Sequence, residues 1–586
     1  MTVIRRFWPQ ILIVVAVVLV WGNTVRYDFV WDDQSFVTEL RSIRSLGNIG
    51  AMFHRLDAQS AVPEEFVLFR PLRTVQYALL FQLGGGETPK AWLFHLNNLA
   101  WHTIAALLLF GVTRQLLKWL APAMSEKSST WFAVIVAAGF AVNPVTAETV
   151  CWVKSLDDIM AAVFVLAAMQ QLLRPELTRR CLWLAVTFFA LAIYSKISAG
   201  PFPLLACIVF LVVRKMEWRR AVLCSMPFFA VAFAFVIHNH LVIGRSSQTA
   251  PISGSYAQTM IDMLPVVPQY MRLLFGIPPF LIDYSHMKGG HALLSAPVIC
   301  GALLLLLLGG LAFWAIRTAR WQLAGFGLIW TGLFLIPVSN LLPMMQYMAE
   351  RFLYLPLIGW CLAAVAALWM LPRMRLVVPV AVSVVVFWAI LAWDRSSIWQ
   401  DNFTLFVRSS QQGVRVQRIE ENAVAAILMQ PHMTNVFVRD PRHRKNPVTI
   451  RPPANPEAWN PVLATLQQAY ELFPEDTALL MSLGAAHYFT AQPQAAASFF
   501  EKVVLKTPEN IGAWINLGRA ASESRQYVRA EQAFRAAVEL QPANVIALRG
   551  LARALSEQHK DTEALRVAEQ NREDGSGGRG KPSTAH

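Results

Sequence analysis

Asp32 and Asp33 stand side by side in the segment Asp28-Phe29-Val30-Trp31-Asp32-Asp33-Gln34, immediately behind a long apolar run. Two adjacent carboxylates can take a proton from an attacking hydroxyl or hold a divalent cation. Acids and bases return at the ends of later apolar runs. They occur in Phe69-Arg70-Pro71-Leu72-Arg73, in Asn143-Pro144-Val145-Thr146-Ala147-Glu148, and then at Lys154 and Asp157-Asp158. They occur again in Tyr194-Ser195-Lys196, in Ile282-Asp283-Tyr284-Ser285-His286 and in Glu350-Arg351-Phe352-Leu353-Tyr354-Leu355-Pro356. Lys and Arg at such places can grip a phosphate or pyrophosphate, and the apolar surroundings point to a phosphate carried by a lipid. Each residue also has a plainer reading: a solvated turn for the acid pair, a snorkelling side chain for Arg351, a span-end anchor for Lys196, a hydrogen-bonded loop residue for His286.

The elements that hold these residues are apolar helices. The 586 residues are 55% hydrophobic and 15% charged, against about 25% charged in an ordinary soluble domain. This excludes a soluble globular enzyme, a disordered chain and a disulfide-stapled secreted domain. About eleven runs approach the roughly 20 residues that cross a bilayer, over 7–24, 92–117, 131–150, 159–173, 181–194, 201–213, 221–243, 292–316, 321–342, 352–371 and 376–393. The first is expected to be an uncleaved span, because no small-residue cleavage site follows it. The stretch 260–280 is apolar but broken by Pro265, Pro268, Pro278 and Pro279, and reads as a re-entrant segment packed in protein. The net charge of +14 sits mainly in alternate gaps, such as Arg174/Arg179/Arg180 and Arg214/Lys215/Arg219/Arg220. That is the bias of cytoplasmic loops, and no basic stripe with interleaved aromatics speaks for nucleic acid. The short opposite gaps hold Lys154, Lys196 and Arg351, each nearly alone. With an odd number of spans, the first loop and everything after the last span lie outside. The six cysteines all lie in or beside apolar runs and read as core residues.

The polar end of the chain carries a period. Pro474, Pro508 and Pro542 are 34 residues apart, Gly484 and Gly518 keep that spacing, and Leu483/Leu517/Leu551, Ala496/Ala530/Ala564 and Phe500/Phe534 repeat in phase. This is the tetratricopeptide pattern of paired helices. The expected fold is therefore all-α: a polytopic membrane bundle over 1–394, a connector over 395–454, tetratricopeptide repeats over 455–571 and a disordered tail over 572–586. Repeats of this kind either dock a protein partner or merely stiffen the exit of the last span. They perform no chemistry, so any reaction sits in the membrane part.

In their order and shared side, Val30-Trp31-Asp32-Asp33, Phe69-Arg70-Pro71-Leu72, Asn143-Pro144-Val145 with Glu148, Asp283-Tyr284-Ser285 and Glu350-Arg351-Phe352-Leu353-Tyr354-Leu355-Pro356 resemble one known family. It is the transmembrane-and-tetratricopeptide O-mannosyltransferases, within the multi-spanning glycosyltransferases of the GT-C fold. The resemblance implies transfer of a sugar, with inversion, from a polyprenyl-phosphate donor such as the mannosyl lipid. The acceptor would be a Ser or Thr hydroxyl of an exported protein. It implies Asp32 as the base, Asp33 as the second acid of the pair and Glu148 as a further catalytic residue. Arg351 and Lys196 would hold the leaving phosphate, with Arg70, Asp283 and His286 lining the site. No cofactor is expected, a divalent cation being the other use of the acid pair. The expected partners are the donor lipid, the surrounding membrane and a protein acceptor docked on the repeats. The expected location is a bacterial inner membrane with the first loop and the repeats in the periplasm, or alternatively the endoplasmic reticulum membrane. The competing reading is a transporter or assembly scaffold that recruits partners through its repeats.

Overall fold

The computed structural model describes residues 2–63, 68–244, 250–285, 287, 289–370, 374–411, 424, 437–439, 448–450 and 459–576. It is all-helical apart from one antiparallel pair of three-residue strands, Phe437–Arg439 and Val448–Ile450. Two compact units divide it, Met1–Leu405 and Phe406–His586.

In the first unit every one of the eleven apolar runs is helical. Among the described residues, six helices are long and apolar enough to cross a membrane alone. The pair Glu126–Ala141 and Pro144–Cys151 is long and apolar enough only when taken together, and is bent by 45° at its break. The other four helical segments, Leu156–Leu172, Arg179–Ser195, Ile197–Val213 and Gln322–Val338, have 17 residues each. That is about 26 Å of helix, short of a hydrocarbon core of about 30 Å. Eleven helices are therefore present, but not eleven full-length spans. Leu156–Leu172 shows why length misled: nearly all its side chains pack against protein, so its apolarity serves the core of the bundle.

The lipid-facing helices look different. In Ala296–Arg317, Leu303, Leu305, Leu306, Leu307, Leu311, Phe313 and Trp314 are all exposed. Such a surface is stable only in hydrocarbon, and the first unit is a membrane domain. The helix starts with Pro297 in its first turn and ends on Arg317, whose guanidinium folds back over Phe313 at 4.0 Å.

The bent span has a chemical cause. Pro144 has no N–H, and Asn143 caps the new turn by accepting the Val145 N–H at 3.0 Å. The last carbonyl of the first half, on Ala141, accepts from the Trp21 indole at 2.8 Å and lies 2.9 Å from His102 Nε2. The apolar stretch 260–280 is two short helices, Tyr256–Met263 and Val266–Leu274, broken at Pro265. Arg272 donates to the carbonyls of Ile277 and Pro279 at 2.7 and 2.8 Å. In both places side chains satisfy backbone that lipid cannot.

The second unit stacks helices in pairs: Thr477–Phe489 with Pro493–Lys506, Ile511–Glu523 with Tyr527–Leu540, and Val545–Ser556 with Asp561–Ser576, preceded by Trp459–Leu472. Gly484 and Gly518 have no side chain because the rings of Phe500 and Phe534 lie against them. The turns between paired helices carry left-handed residues at Ala491, Arg525 and His559, again 34 apart. The connector expected over 395–454 falls mostly outside the described residues, as do 455–458 and 577–586. Its first part belongs to the membrane unit: Arg395, Ile398 and Trp399 are buried.

Gly327 and Gly359 let the helices Gln322–Leu335 and Tyr354–Trp369 touch backbone to backbone, and a Cβ on Gly359 would run into the Gly327 carbonyl and the Thr331 amide. We expect Gly359→Ala to destabilise the membrane domain by about 1–3 kcal/mol, read as a lower melting temperature in detergent. Gly309→Ala, with nothing within 4 Å, should not lower it. Equal melting temperatures for the two variants would contradict this packing.

Candidate functional site

The first loop is shaped by a left-handed tryptophan and a buried acid. Trp31 sits at φ +54°, and its N–H donates to Asn402 Oδ1 at 2.8 Å. Asp33 is fully buried. Its Oδ2 accepts the Val30 N–H at 3.0 Å and its Oδ1 accepts the Lys154 N–H at 2.8 Å. One carboxylate thus ties the first loop to the segment that follows the bent span. The tie delivers Lys154 Nζ to Asp32 Oδ2 at 2.6 Å. Burial pushes the Asp33 carboxyl up to about 7, with Asp32 adding to the rise, against the pull of the two backbone N–H groups and of Lys154. Burial also lowers Lys154, and Asp32 opposes that.

The bend at Asn143-Pro144 positions a second group. Glu148 is buried, and both its oxygens are taken by Arg351: Oε2 by the backbone N–H at 2.9 Å and Oε1 by the guanidinium. Arg351 also donates to Gln346 at 2.9 Å. Trp152 lies beneath both cations, its ring centroid 4.6 Å from Lys154 Nζ and 5.5 Å from the Arg351 guanidinium. Arg351 sits within electrostatic reach of Asp32 and Asp158.

A third group gathers at the start of Leu156–Leu172, where carboxylates are favoured by the helix dipole. Asp157 lies 3.1 Å from Arg70 Nε, 3.8 Å from Arg73 and 3.5 Å from Lys196. Asp158 pairs with Lys196. Arg73 is buried, with its guanidinium 4.5 Å over the Phe36 ring. A fourth group flanks Arg351: Glu350 is paired with Arg395 at 2.6 Å and accepts from the Tyr284 hydroxyl and the Leu281 N–H, both at 2.8 Å.

Of the residues singled out in the sequence, Asp32, Asp33, Glu148, Arg70, Lys196 and Arg351 therefore fall into linked groups drawn from four segments between apolar helices. Asp283 is buried in a turn, accepting the Ser285 N–H at 2.7 Å, next to the Tyr284 that reaches Glu350. His286 lies outside the described residues. Lys154, Trp152, the Asp157-Asp158 pair, Arg73, Glu350 and Arg395 were not picked as site residues. The signal for the first was present: Lys154, Lys196 and Arg351 are the nearly solitary bases of the outer segments, and each proves to face an acid from a different segment or span.

Exposure sorts the groups by role. The side chains of Asp32 and Lys154 are each 14% exposed, Arg351 15%, Arg70 12% and Lys196 11%, whereas Glu148 is 1%, Asp158 5% and Asp157 7%. The more exposed side chains of these pairs are thus one carboxylate and four cations. The other carboxylates hold those cations in place. A divalent cation does not fit this arrangement: Asp32 faces Lys154, Asp33 is spent on backbone N–H groups, and no three His, Cys, Asp or Glu side chains converge among the described residues.

Asp33 gives a test. A carboxyl whose folded value lies above its unfolded value of 3.8 favours folding in the protonated form, and this contribution is lost as pH rises towards about 7. Asp33→Asn cannot lose it, but offers one oxygen where two N–H groups need an acceptor, at a cost of about 1–3 kcal/mol. We therefore expect the stability deficit of Asp33→Asn, measured by thermal shift, to shrink between pH 5 and pH 8. A deficit that grows with pH would contradict the assignment.

No family model matches the chain. It is 23% identical over 174 residues to the Homo sapiens protein named Protein O-mannosyl-transferase TMTC4, covering 28% of this chain and 23% of that protein. It is 34% identical over 95 residues to the Drosophila melanogaster Protein O-mannosyl-transferase Tmtc2, covering 16% of this chain and 9% of that protein. The matched region thus spans under a quarter of the length of these relatives. Among solved structures, MamA 41-end from Desulfovibrio magneticus RS-1 aligns at 18% identity over 30% of this chain and 98% of its own, with a TM-score of 0.21. The APC/C hetero-tetramer Cut9-Hcn1 aligns at 14% identity over 80% of this chain and 98% of its own, with a TM-score of 0.20. In sequence, this membrane protein is a distant relative of proteins named protein O-mannosyl-transferases.

Proposed function

We propose that this protein is an inverting glycosyltransferase of the GT-C type. It would move a sugar, mannose by analogy with its relatives, from a polyprenyl-phosphate lipid to a Ser or Thr hydroxyl of an exported protein on the non-cytoplasmic side. The observation that carries the reading is the set of reachable groups: Asp32 together with Lys154, Arg351, Arg70 and Lys196, converging from separate outer segments of a membrane domain.

The chemistry needs a base on one side of the sugar's anomeric carbon and a stabilised phosphate on the other. The acceptor oxygen bonds to that carbon and gives its proton to Asp32. The bond from carbon to phosphate oxygen breaks, and its electron pair stays on the phosphate. Lys154 touches Asp32, so it belongs to the base side and orients the carboxylate. Arg351, Arg70 and Lys196 are left for the phosphate. Glu148 serves in this reading as the residue that orients Arg351, and the repeats present the acceptor protein. The setting is a bacterial inner membrane, with the site facing the periplasm.

Asp32→Asn keeps the size and hydrogen bonding but removes the basic oxygen. We expect single-turnover transfer from a labelled polyprenyl-phosphate sugar to fall by at least roughly 10², with donor affinity near that of the wild type. Arg351→Gln keeps a donor for Glu148 and removes a charge that both ground and transition states use, so it should weaken donor binding about tenfold or more. Near-native turnover by a folded Asp32→Asn protein would refute Asp32 as the base.

A further inference from the structure

The site contains an aromatic stack whose exposed member, Trp31, the proton and phosphate chemistry does not use. The Trp31 and Trp152 rings are stacked, with centroids 5.0 Å apart and planes 15° from parallel. Trp152 is stacked in turn on Trp399, at 5.8 Å and 29°. Trp152 and Trp399 are buried, while Trp31 keeps part of its surface exposed at the outer end of the stack. Trp152 already serves Lys154 and Arg351 as a cation-binding face.

Two features of this stack point to a ligand. The first is the backbone of Trp31, whose φ of +54° is one that bulky residues rarely adopt and that persists only where the surroundings enforce it. Those surroundings are explicit: the Trp31 N–H on Asn402, the Asp33 carboxylate closing the turn onto the Val30 N–H, and the ring held on Trp152. Glycine would fill this position without strain, yet the chain places an indole there, one residue before the reachable carboxylate. The second is the indole Nε1 of Trp152, which is buried and has no hydrogen-bond acceptor among the described residues. Buried donors are nearly always paired, and this one belongs to the ring on which Trp31 is stacked.

We infer that the Trp31–Trp152 stack is the sugar-binding wall of this site, with the pyranose ring of the donor lying against the exposed part of the Trp31 indole. This rests on the glycosyltransferase reading. Geometry selects the sugar over the other parts of the substrates. The anomeric carbon must lie one bond from the oxygen that Asp32 deprotonates, so the pyranose falls within reach of the residue adjoining Asp32. The lipid chain begins beyond the phosphate, on the side of the other cations. The apolar C–H face of a pyranose suits the electron-rich face of an indole.

The test uses the full-length protein in lipid nanodiscs and two probes, polyprenyl phosphate and polyprenyl-phosphate-mannose. Trp31→Gly removes the ring and tolerates the left-handed backbone, and Trp31→Phe keeps an aromatic face. We expect Trp31→Gly to weaken binding of the mannosyl lipid about five- to tenfold while binding of the bare phosphate lipid stays within about twofold, with Trp31→Phe in between. Arg351→Gln should instead weaken both lipids. Equal losses of the two lipids in Trp31→Gly, no loss of either, or an effect confined to the KM of the acceptor peptide would overturn the sugar wall while leaving the transferase reading intact. A wild-type protein that binds neither lipid would overturn that reading, and the wall with it.

Discussion

A charge placed beside hydrocarbon must find a partner, because its desolvation is not otherwise repaid. In this protein that constraint does more than keep the chain folded. Segments between the helices bring charges whose partners lie in another segment or span: Asp32 finds Lys154 after the bend at Pro144, Arg351 finds Glu148, and Arg70 and Lys196 meet on the Asp157-Asp158 pair. Removing one member of such a pair costs about 3–5 kcal/mol, because the other is left buried and alone. The ion pairs therefore fix the register of segments that come from distant parts of the sequence. The same pairs leave five charged side chains partly exposed.

Two irregularities make this convergence possible. The 45° break at Asn143-Pro144 redirects the chain, so that Glu148, Trp152 and Lys154 arrive at the site. The left-handed Trp31 turns the first loop so that Asp33 points inward to two backbone N–H groups while Asp32 meets Lys154. Both depart from regular structure where backbone is packed in protein, which is where a membrane protein can sustain such departures.

Much of this was legible in the sequence, for identifiable reasons. The eleven apolar helices follow from runs of residues that cannot stay in water, and the repeats follow from small and aromatic residues in a 34-residue period, since Gly484 and Gly518 must accept Phe500 and Phe534. Asp32, Arg70, Glu148, Lys196 and Arg351 stood out because charges are costly at span ends. Pairing did not stand out. Lys154 and Asp32 are 122 residues apart, and only the fold shows that they touch. Span length failed for a related reason: an apolar helix buried in protein, such as Leu156–Leu172, reads like one buried in lipid. The Trp31–Trp152 stack gave no signal, because one-dimensional patterns do not reveal a left-handed backbone or a stack between residues 121 apart in the chain.

The central claim is that one reachable carboxylate and a group of cations act on opposite sides of a sugar-phosphate carbon. The stereochemistry of transfer tests this most directly. Purified protein would be incubated with ¹³C-labelled β-linked polyprenyl-phosphate-mannose and a Ser/Thr peptide, and the anomeric configuration of the product read by NMR. A single displacement driven by Asp32 gives the α-linked mannosyl peptide. A β-linked product would require two displacements through a covalent intermediate and would contradict the account, as would the absence of transfer by protein that binds the donor.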